Sequence, residues 1–250
     1  MLIKLIAIIY FTNIVYMLKN IIYLLFFLLL TSCKDNSSNY NKQYLNSLIE
    51  VNTHEDSLFN IFIEPYKISI ESKMNEIISF TNEDLRKSKP VGILGNFVTD
   101  LCLEYAEADI CLMNNGGLRS VINKGDITVG MIYELMPFEN ELVIVELSEA
   151  DFIEMLMHVI QKGGEPISGV QVTATNKDIL DYKPKFNFEN KQKIKILTTD
   201  YLADKKDFFK NKKQIKVGIK LRDAIIQYCK KNDTIYAKLD ERLKIIDNEK

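Results

Sequence analysis

The segment Leu112-Met113-Asn114-Asn115-Gly116-Gly117-Leu118-Arg119-Ser120, LMNNGGLRS in one-letter code, decides how this chain is read. The run Asp109 to Met113 before and into it reads as a short apolar strand, which delivers Asn114 to a Gly-Gly turn. Arg119 follows five residues after Asn114. Glycines such as Gly116 and Gly117 permit positive φ and let a ligand approach the backbone closely. An amide and a guanidinium converging on one spot suit an oxygen-rich or heterocyclic ligand. Taken alone, a glycine pair at the end of a strand is as readily a purely structural turn.

Working outward from this loop, periodicity predicts helices and strands interspersed along the chain. Leu94 to Ala106 reads as a helix, and Leu142 to Leu147 as a strand of the buried type. Ser148 is placed as the N-cap of a helix running to about Lys162, closed by Gly163 and Gly164. Val170 to Thr175 and Lys193 to Thr199 alternate like strands, Leu221 to Lys231 reads as a helix, and Arg242 to Ile246 as a last strand. Upstream, Tyr44 to Phe62 has helical spacing, Pro65 opens a further helix or kinks this one, and Lys73 to Phe80 is a plausible strand. The expected fold class is α+β, a single domain with mixed β-sheets packed by helices.

The chain has 250 residues, nearly half of them apolar, which suits one domain plus leader segments. With 32 basic and 34 acidic side chains it lacks the basic surplus that nucleic acid would require, so no nucleic-acid partner is expected. The basic stretch Lys205, Lys206, Lys210, Lys212, Lys213 and Lys216 reads either as an attraction for a phosphate or as a solvated loop, and the loop is the plainer reading. Residues 1–33 read as a lipoprotein signal segment: Met17 to Asn20 is a short basic start, Ile21 to Leu30 an apolar run, and Leu30-Thr31-Ser32-Cys33 resembles a bacterial lipobox. Cys33 is then the lipidation site, residues 34–43 a flexible tether, and residues 44–250 the domain. The alternative is a transmembrane anchor, for which the apolar run falls short of the roughly 20 residues a bilayer span needs. Cys102, Cys111 and Cys229 each lie in an apolar stretch and read as small buried hydrophobes rather than disulfide partners.

Five further segments frame the loop. Leu94-Gly95-Asn96-Phe97-Val98-Thr99-Asp100 precedes it; Gly125-Asp126-Ile127-Thr128-Val129-Gly130, Met136-Pro137-Phe138-Glu139-Asn140, the strand Leu142 to Leu147 and Thr199-Asp200-Tyr201-Leu202-Ala203 follow it. In this order and spacing, from about Ile61 to Ile246, the chain resembles the C-terminal, substrate-recognition domain of 5'-nucleotidases. The resemblance implies that Asn114 and Arg119, with Gly116 and Gly117 between them, contact a nucleoside. It implies that the rings of Phe138 and Tyr201 stack on the two faces of its base, and that Asp207 binds ribose hydroxyls. Base stacking on aromatic rings tolerates any base and is worth roughly 1–3 kcal/mol per base. Without the resemblance, core packing is the plainer role for Phe138 and Tyr201. The family pattern has Gly-Gly-Asp-Gly where this chain has Lys205-Lys206-Asp207-Phe208, so the loop around Asp207 is expected to take a different shape. A family arginine that precedes the LGN segment has only Arg86 and Lys89 as nearby counterparts.

Family catalysis uses two divalent metal ions, held by aspartates, an asparagine and histidines of a separate N-terminal domain, to activate water. This chain has two histidines, His54 and His158, the second inside an apolar helix where packing is its expected role. No catalytic residue, metal site or cofactor is therefore assigned to this chain, and the metals are expected in a partner metallophosphatase chain. The resemblance thus implies a nucleoside- or nucleotide-recognition subunit of a split 5'-nucleotidase, lipid-anchored at a bacterial cell envelope. An envelope nucleoside-binding lipoprotein and a degenerate scaffold that has lost its pocket are the alternatives.

Overall fold

The computed structural model describes residues 13, 15–23, 57–184 and 193–246. It divides into two units, Met1–Phe62 and Ile63–Lys250. In the first, residues 15–23 form an exposed helix, α1, and residues 57–62 begin helix α2 (Ser57–Met74). No helix among the described residues is long and apolar enough to cross a membrane. Cys33, the tether at residues 34–43, His54 and most of the expected helix from Tyr44 lie outside the described residues.

The second unit holds three mixed sheets among its described residues. The central one has five strands in the order β5-β2-β8-β4-β9: β2 (Ile110–Leu112), β4 (Glu141–Leu147), β5 (Ile167–Ser168), β8 (Ile194–Thr199) and β9 (Gln214–Lys220). A second sheet sets β1 (Ile77–Thr81) between β10 (Thr234–Ile235), parallel to it, and β3 (Gly125–Thr128), antiparallel. In the third, β6 (Val170–Thr175) pairs in parallel with β11 (Leu243–Ile246) and antiparallel with β7 (Ile179–Pro184).

The central sheet is buried on both faces, which is why β4 reads Leu-Val-Ile-Val without polar alternation. Successive strand side chains point to opposite faces. Cys111, Leu142 and Leu197 accordingly join one core, with α3 (Ile93–Leu103), α4 (Val129–Leu135) and α7 (Leu221–Lys231). Ile110, Leu112, Val143, Val145, Ile194 and Ile196 join the other, where α5 (Glu149–Gln161) inserts Phe152, Met155, Leu156 and Val159. The buried Phe208 and Phe209 of a 3-10 turn at Asp207–Phe209 pack into this second core, as does the nearby short helix α6 (Asp200–Lys205) through Leu202 and Ala203. Cys102, Cys111 and Cys229 are free and buried, as expected.

Helix α5 carries the predicted cap as a full capping box: the Asp151 amide donates to Ser148 Oγ at 3.3 Å, and the Ser148 amide donates to Asp151 Oδ2 at 3.1 Å. Gly164, after its end, has φ +109, and a Cβ there would stand 2.2 Å from the Pro90 carbonyl oxygen, so only glycine fits. The Gly125–Gly130 segment holds a junction that periodicity did not assign: β3 turns into α4 at Thr128, whose Oγ1 accepts from the Met131 amide at 3.3 Å. Two expectations are corrected. The strand placed at Lys73 to Phe80 begins at Ile77, because α2 continues through Pro65 as far as Met74 and no separate helix opens at the proline. The basic stretch is not a solvated loop throughout, since Lys205 ends α6 and Lys216 lies in the edge strand β9. There Lys216 pairs with Glu141 and, just before the strand, Lys212 pairs with Asp151 at 2.8 Å.

Candidate nucleoside-recognition cavity

Strand direction brings the site together. β2 and β8 run parallel, so the chain leaves both at the same end of the sheet, toward Asn114 and Tyr201 respectively. β4 is antiparallel to β8 and starts at that end, with Leu142 opposite Thr199, so the residues just before it arrive there too. β9, antiparallel to β4, finishes there with Lys220 opposite Glu141 and passes into α7 at Leu221. Four distant segments therefore meet at one sheet end. Between them lies a cavity of about 350 Å³, lined by Asn114, Gly116, Gly117, Arg119, Phe138 and Tyr201 among others.

Six of the seven binding residues predicted from the sequence thus line one cavity. The core-packing alternative for the two rings does not hold: Phe138 is 43% exposed and Tyr201 51%. An exposed ring on a cavity wall is available to stack on a flat ligand. Asp207 is the residue not brought in; it stands exposed at the start of its 3-10 turn, outside the residues that line the cavity. The buried Phe208 and Phe209 beside it tie that turn into the second core, and the glycine of the family pattern at position 208 would lack the first of these anchors.

The Asn114–Arg119 loop is held from three sides. The Met113 amide donates to the Pro166 carbonyl at 2.9 Å, and the Asn115 amide to Glu165 Oε2 at 2.6 Å. The Arg119 amide donates to the Leu135 carbonyl at 2.7 Å, while its guanidinium, otherwise exposed, donates to the Gly116 carbonyl at 3.2 Å. Neither Gly116 nor Gly117 has positive φ. Close approach is what these glycines provide: a Cβ on Gly117 would stand 3.1 Å from Asn114 Oδ1 and would displace that side chain.

Sequence reasoning missed three neighbours. Asn140 lines the cavity two residues after Phe138, and Leu221 faces it from the start of α7, its amide donating to the Asn140 carbonyl at 2.9 Å. A polar residue spaced by two from a wall aromatic in the same turn was the available signal for Asn140. Lys87 donates through Nζ to the Leu118 carbonyl at 2.6 Å and so reaches the loop from the segment before α3. The two counterparts suggested for the family arginine point elsewhere, Arg86 to Asp84 at 2.8 Å and Lys89 to the Lys162 carbonyl.

Glu139, between Phe138 and Asn140, accepts from Lys220 and from Arg222. The hydrogen bond from Lys220, and then that from Arg222, hold its carboxyl down to about 2. His158 packs at 5.5 Å from the Phe208 ring, as expected of a packing histidine. Its burial, aided by Lys206 and Lys162, keeps it below the ordinary histidine value. Among the described residues no three His, Cys, Asp or Glu side chains gather where they could hold a metal ion, so the pair of metals that the resemblance implies does not fit this part of the chain.

The described fold is thus an α+β domain with an open cavity walled by two exposed rings, an amide and a guanidinium. Residues 71–213, more than half of the chain, match the family described as 5'-nucleotidase, C-terminal domain, and the chain belongs to that family. It is 30% identical over 175 residues to the trifunctional nucleotide phosphoesterase protein YfkN of Bacillus subtilis, a match that covers 61% of this chain and 12% of that protein. It is 26% identical over 222 residues to an apyrase of Tabanus yao, 71% of this chain and 39% of the other. A 5'-nucleotidase of Vibrio vulnificus is 27% identical over 51% of this chain and 25% of its own. The chain therefore spans well under half the length of these curated relatives. The crystal structure of a 5'-nucleotidase precursor from Thermus thermophilus superposes with a TM-score of 0.64 at 23% identity, covering 78% of this chain and 44% of that one, and shows the same fold.

Proposed function

We propose that this chain is the nucleoside- or nucleotide-recognition part of a 5'-nucleotidase system. The cavity grips the base between Phe138 and Tyr201, and Asn114 and Arg119 hydrogen-bond its edge or the sugar and phosphate oxygens. The observation that carries this is the convergence of four separate segments on one cavity with two exposed rings at its wall. Asp207 is left out of the proposed contact set, because it lies outside the lining residues.

Phosphate-ester hydrolysis is proposed to need a separate metallophosphatase chain that carries two divalent metal ions. In the relatives named above as phosphoesterase, apyrase and 5'-nucleotidase, the matched segment is a minor part of the protein. Lipidation at Cys33 is proposed to hold the chain on a bacterial envelope membrane, close to substrate outside the cytoplasm.

The test is reconstitution. The full chain, solubilised in detergent, is used to capture partners, and AMP hydrolysis is followed with and without a chelator. The expected result is a captured metallophosphatase whose chelator-sensitive hydrolysis rises when this chain is added. Nucleoside binding with no effect on any such enzyme would instead make the chain a binding lipoprotein. No nucleoside binding at all would make it a scaffold.

A further inference from the structure

Arg222 is a cation with little access to water. It is 6% exposed, its guanidinium lies 4.2 Å over the Tyr133 ring, and its Nε finds no acceptor among the described residues. Its charge partner is Glu139, whose side chain is 61% exposed. The pair is lopsided: a buried guanidinium meets a carboxylate that could otherwise turn to solvent. Leaving a buried arginine uncompensated costs far more than a surface ion pair returns, and contact with a ring offsets only part of that. Glu139 is therefore not free to leave. Lys220, from the end of β9, adds a second donor to the same carboxylate.

Position turns this into a functional matter. Glu139 is flanked by Phe138 and Asn140, which both line the cavity, and Arg222 follows Leu221, which lines it too. Fixing the Glu139 side chain on Arg222 fixes the backbone from which the Phe138 ring springs. Besides this pair, the Leu221 amide to the Asn140 carbonyl is the bond that ties the turn to α7.

We propose that Glu139 is the positioning residue of the cavity, locking the Phe138–Asn140 turn onto Arg222 so that the Phe138 ring is preset for a flat ligand. The ligand in question is the nucleoside of the function proposed above, and the inference rests on that reading for its consequence but not for its geometry.

The experiment places a fluorine-labelled phenylalanine at position 138 of the full chain. Fluorine NMR is recorded without ligand, and adenosine affinity is measured by calorimetry, in the unmodified chain, E139Q, R222Q and the double variant. One narrow fluorine line is expected for the unmodified chain, and a broadened or split line for E139Q. Adenosine affinity is expected to fall about tenfold in E139Q, with the double variant no weaker than the worse single variant, as two halves of one device should behave. A fluorine line in E139Q unchanged from the parent, or losses in the two single variants that add, would overturn the proposal. Should R222Q not fold, the E139Q spectrum decides by itself. Should the unmodified chain bind no adenosine, the nucleoside reading fails, and the ligand-free fluorine spectra still decide whether Glu139 positions the ring.

Discussion

The hydroxyl of Thr198 donates to the carbonyl of Leu112 at 2.8 Å, across a pair of strands whose next few residues are Asn114 and Tyr201. The bond is buried and spans 86 residues of sequence. It joins β2 to β8 where both deliver their cavity residues. Thr198→Val keeps the shape and removes the donor, which leaves a buried carbonyl short of a partner. The expected loss is about 1–3 kcal/mol of folding stability, read from urea unfolding. A stability equal to the parent would mean that the strand pair holds its register without this bond.

Arg242 is the other buried cation among the described residues, and its role is structural. It is 7% exposed and makes paired hydrogen bonds to Asp100 at 2.8 and 2.9 Å and to Asp240 at 2.6 and 3.0 Å. Asn96 Nδ2 adds a bond to the Lys238 carbonyl at 2.9 Å. The LGNFVTD segment thus clamps the approach to β11 instead of touching the cavity. Arg242→Ala is expected to cost about 2–3 kcal/mol while adenosine affinity, in molecules that remain folded, stays within about twofold. A marked loss of affinity at full stability would place this clamp in the binding machinery.

Acid should weaken the fold through carboxylates that are paired only when folded. The Glu139 carboxyl is held at about 2, below its ordinary 4.5, and the Asp240 carboxyl is lowered from 3.8, first by the hydrogen bond from Arg242. The unfolded chain binds protons on these groups before the folded one does. Their contribution is therefore complete above the ordinary carboxylate values and is lost as pH falls through the folded ones. Melting temperatures should fall slightly from about pH 7 to 5, where the unfolded chain protonates His158 before the folded one does, and decline more steeply from about 4.5 downward. In E139Q that decline should be shallower; an identical slope would show that Glu139 titrates alike in both states.

Asp207 distinguishes the geometry from the resemblance. The resemblance gives it the ribose hydroxyls, whereas the structure leaves it outside the lining residues. Asp207→Ala is expected to change adenosine affinity by less than about threefold, measured by calorimetry. A loss as large as that of a wall residue would restore the ribose role and require the 3-10 turn to move on binding.

The sequence carried the loop and most strands, because these are local: an apolar run before Gly-Gly, and an unbroken Leu-Val-Ile-Val run for a strand buried on both faces; the wall rings came only through the resemblance, since Phe138 and Tyr201 by themselves read as core. The Ser148 cap was equally legible. The strand β9 was not. Ile215, Val217 and Ile219 alternate with Gln214, Lys216 and Lys220, but the strand directly continues the lysine-rich stretch and carries Gly218 at φ +86, so it reads as part of that loop. Nor were Glu139 and Arg222 legible as a pair, since they stand 83 residues apart and meet only because β4 starts where β9 ends. Lys87 escaped for the same reason: its target, the Leu118 carbonyl, is a backbone group that no side-chain pattern announces.

The proposed function stands or falls with a nucleoside held in this cavity between two rings. Calorimetric titration of adenosine into the full chain, beside Arg119→Ala and Tyr201→Ala, tests it most directly. Binding by the parent is expected, with a loss of roughly 1–3 kcal/mol for Tyr201→Ala from the missing stack and a loss of similar size for Arg119→Ala from the missing charged donor. Equal affinity in all three chains, or no heat with any nucleoside or nucleotide, would contradict it.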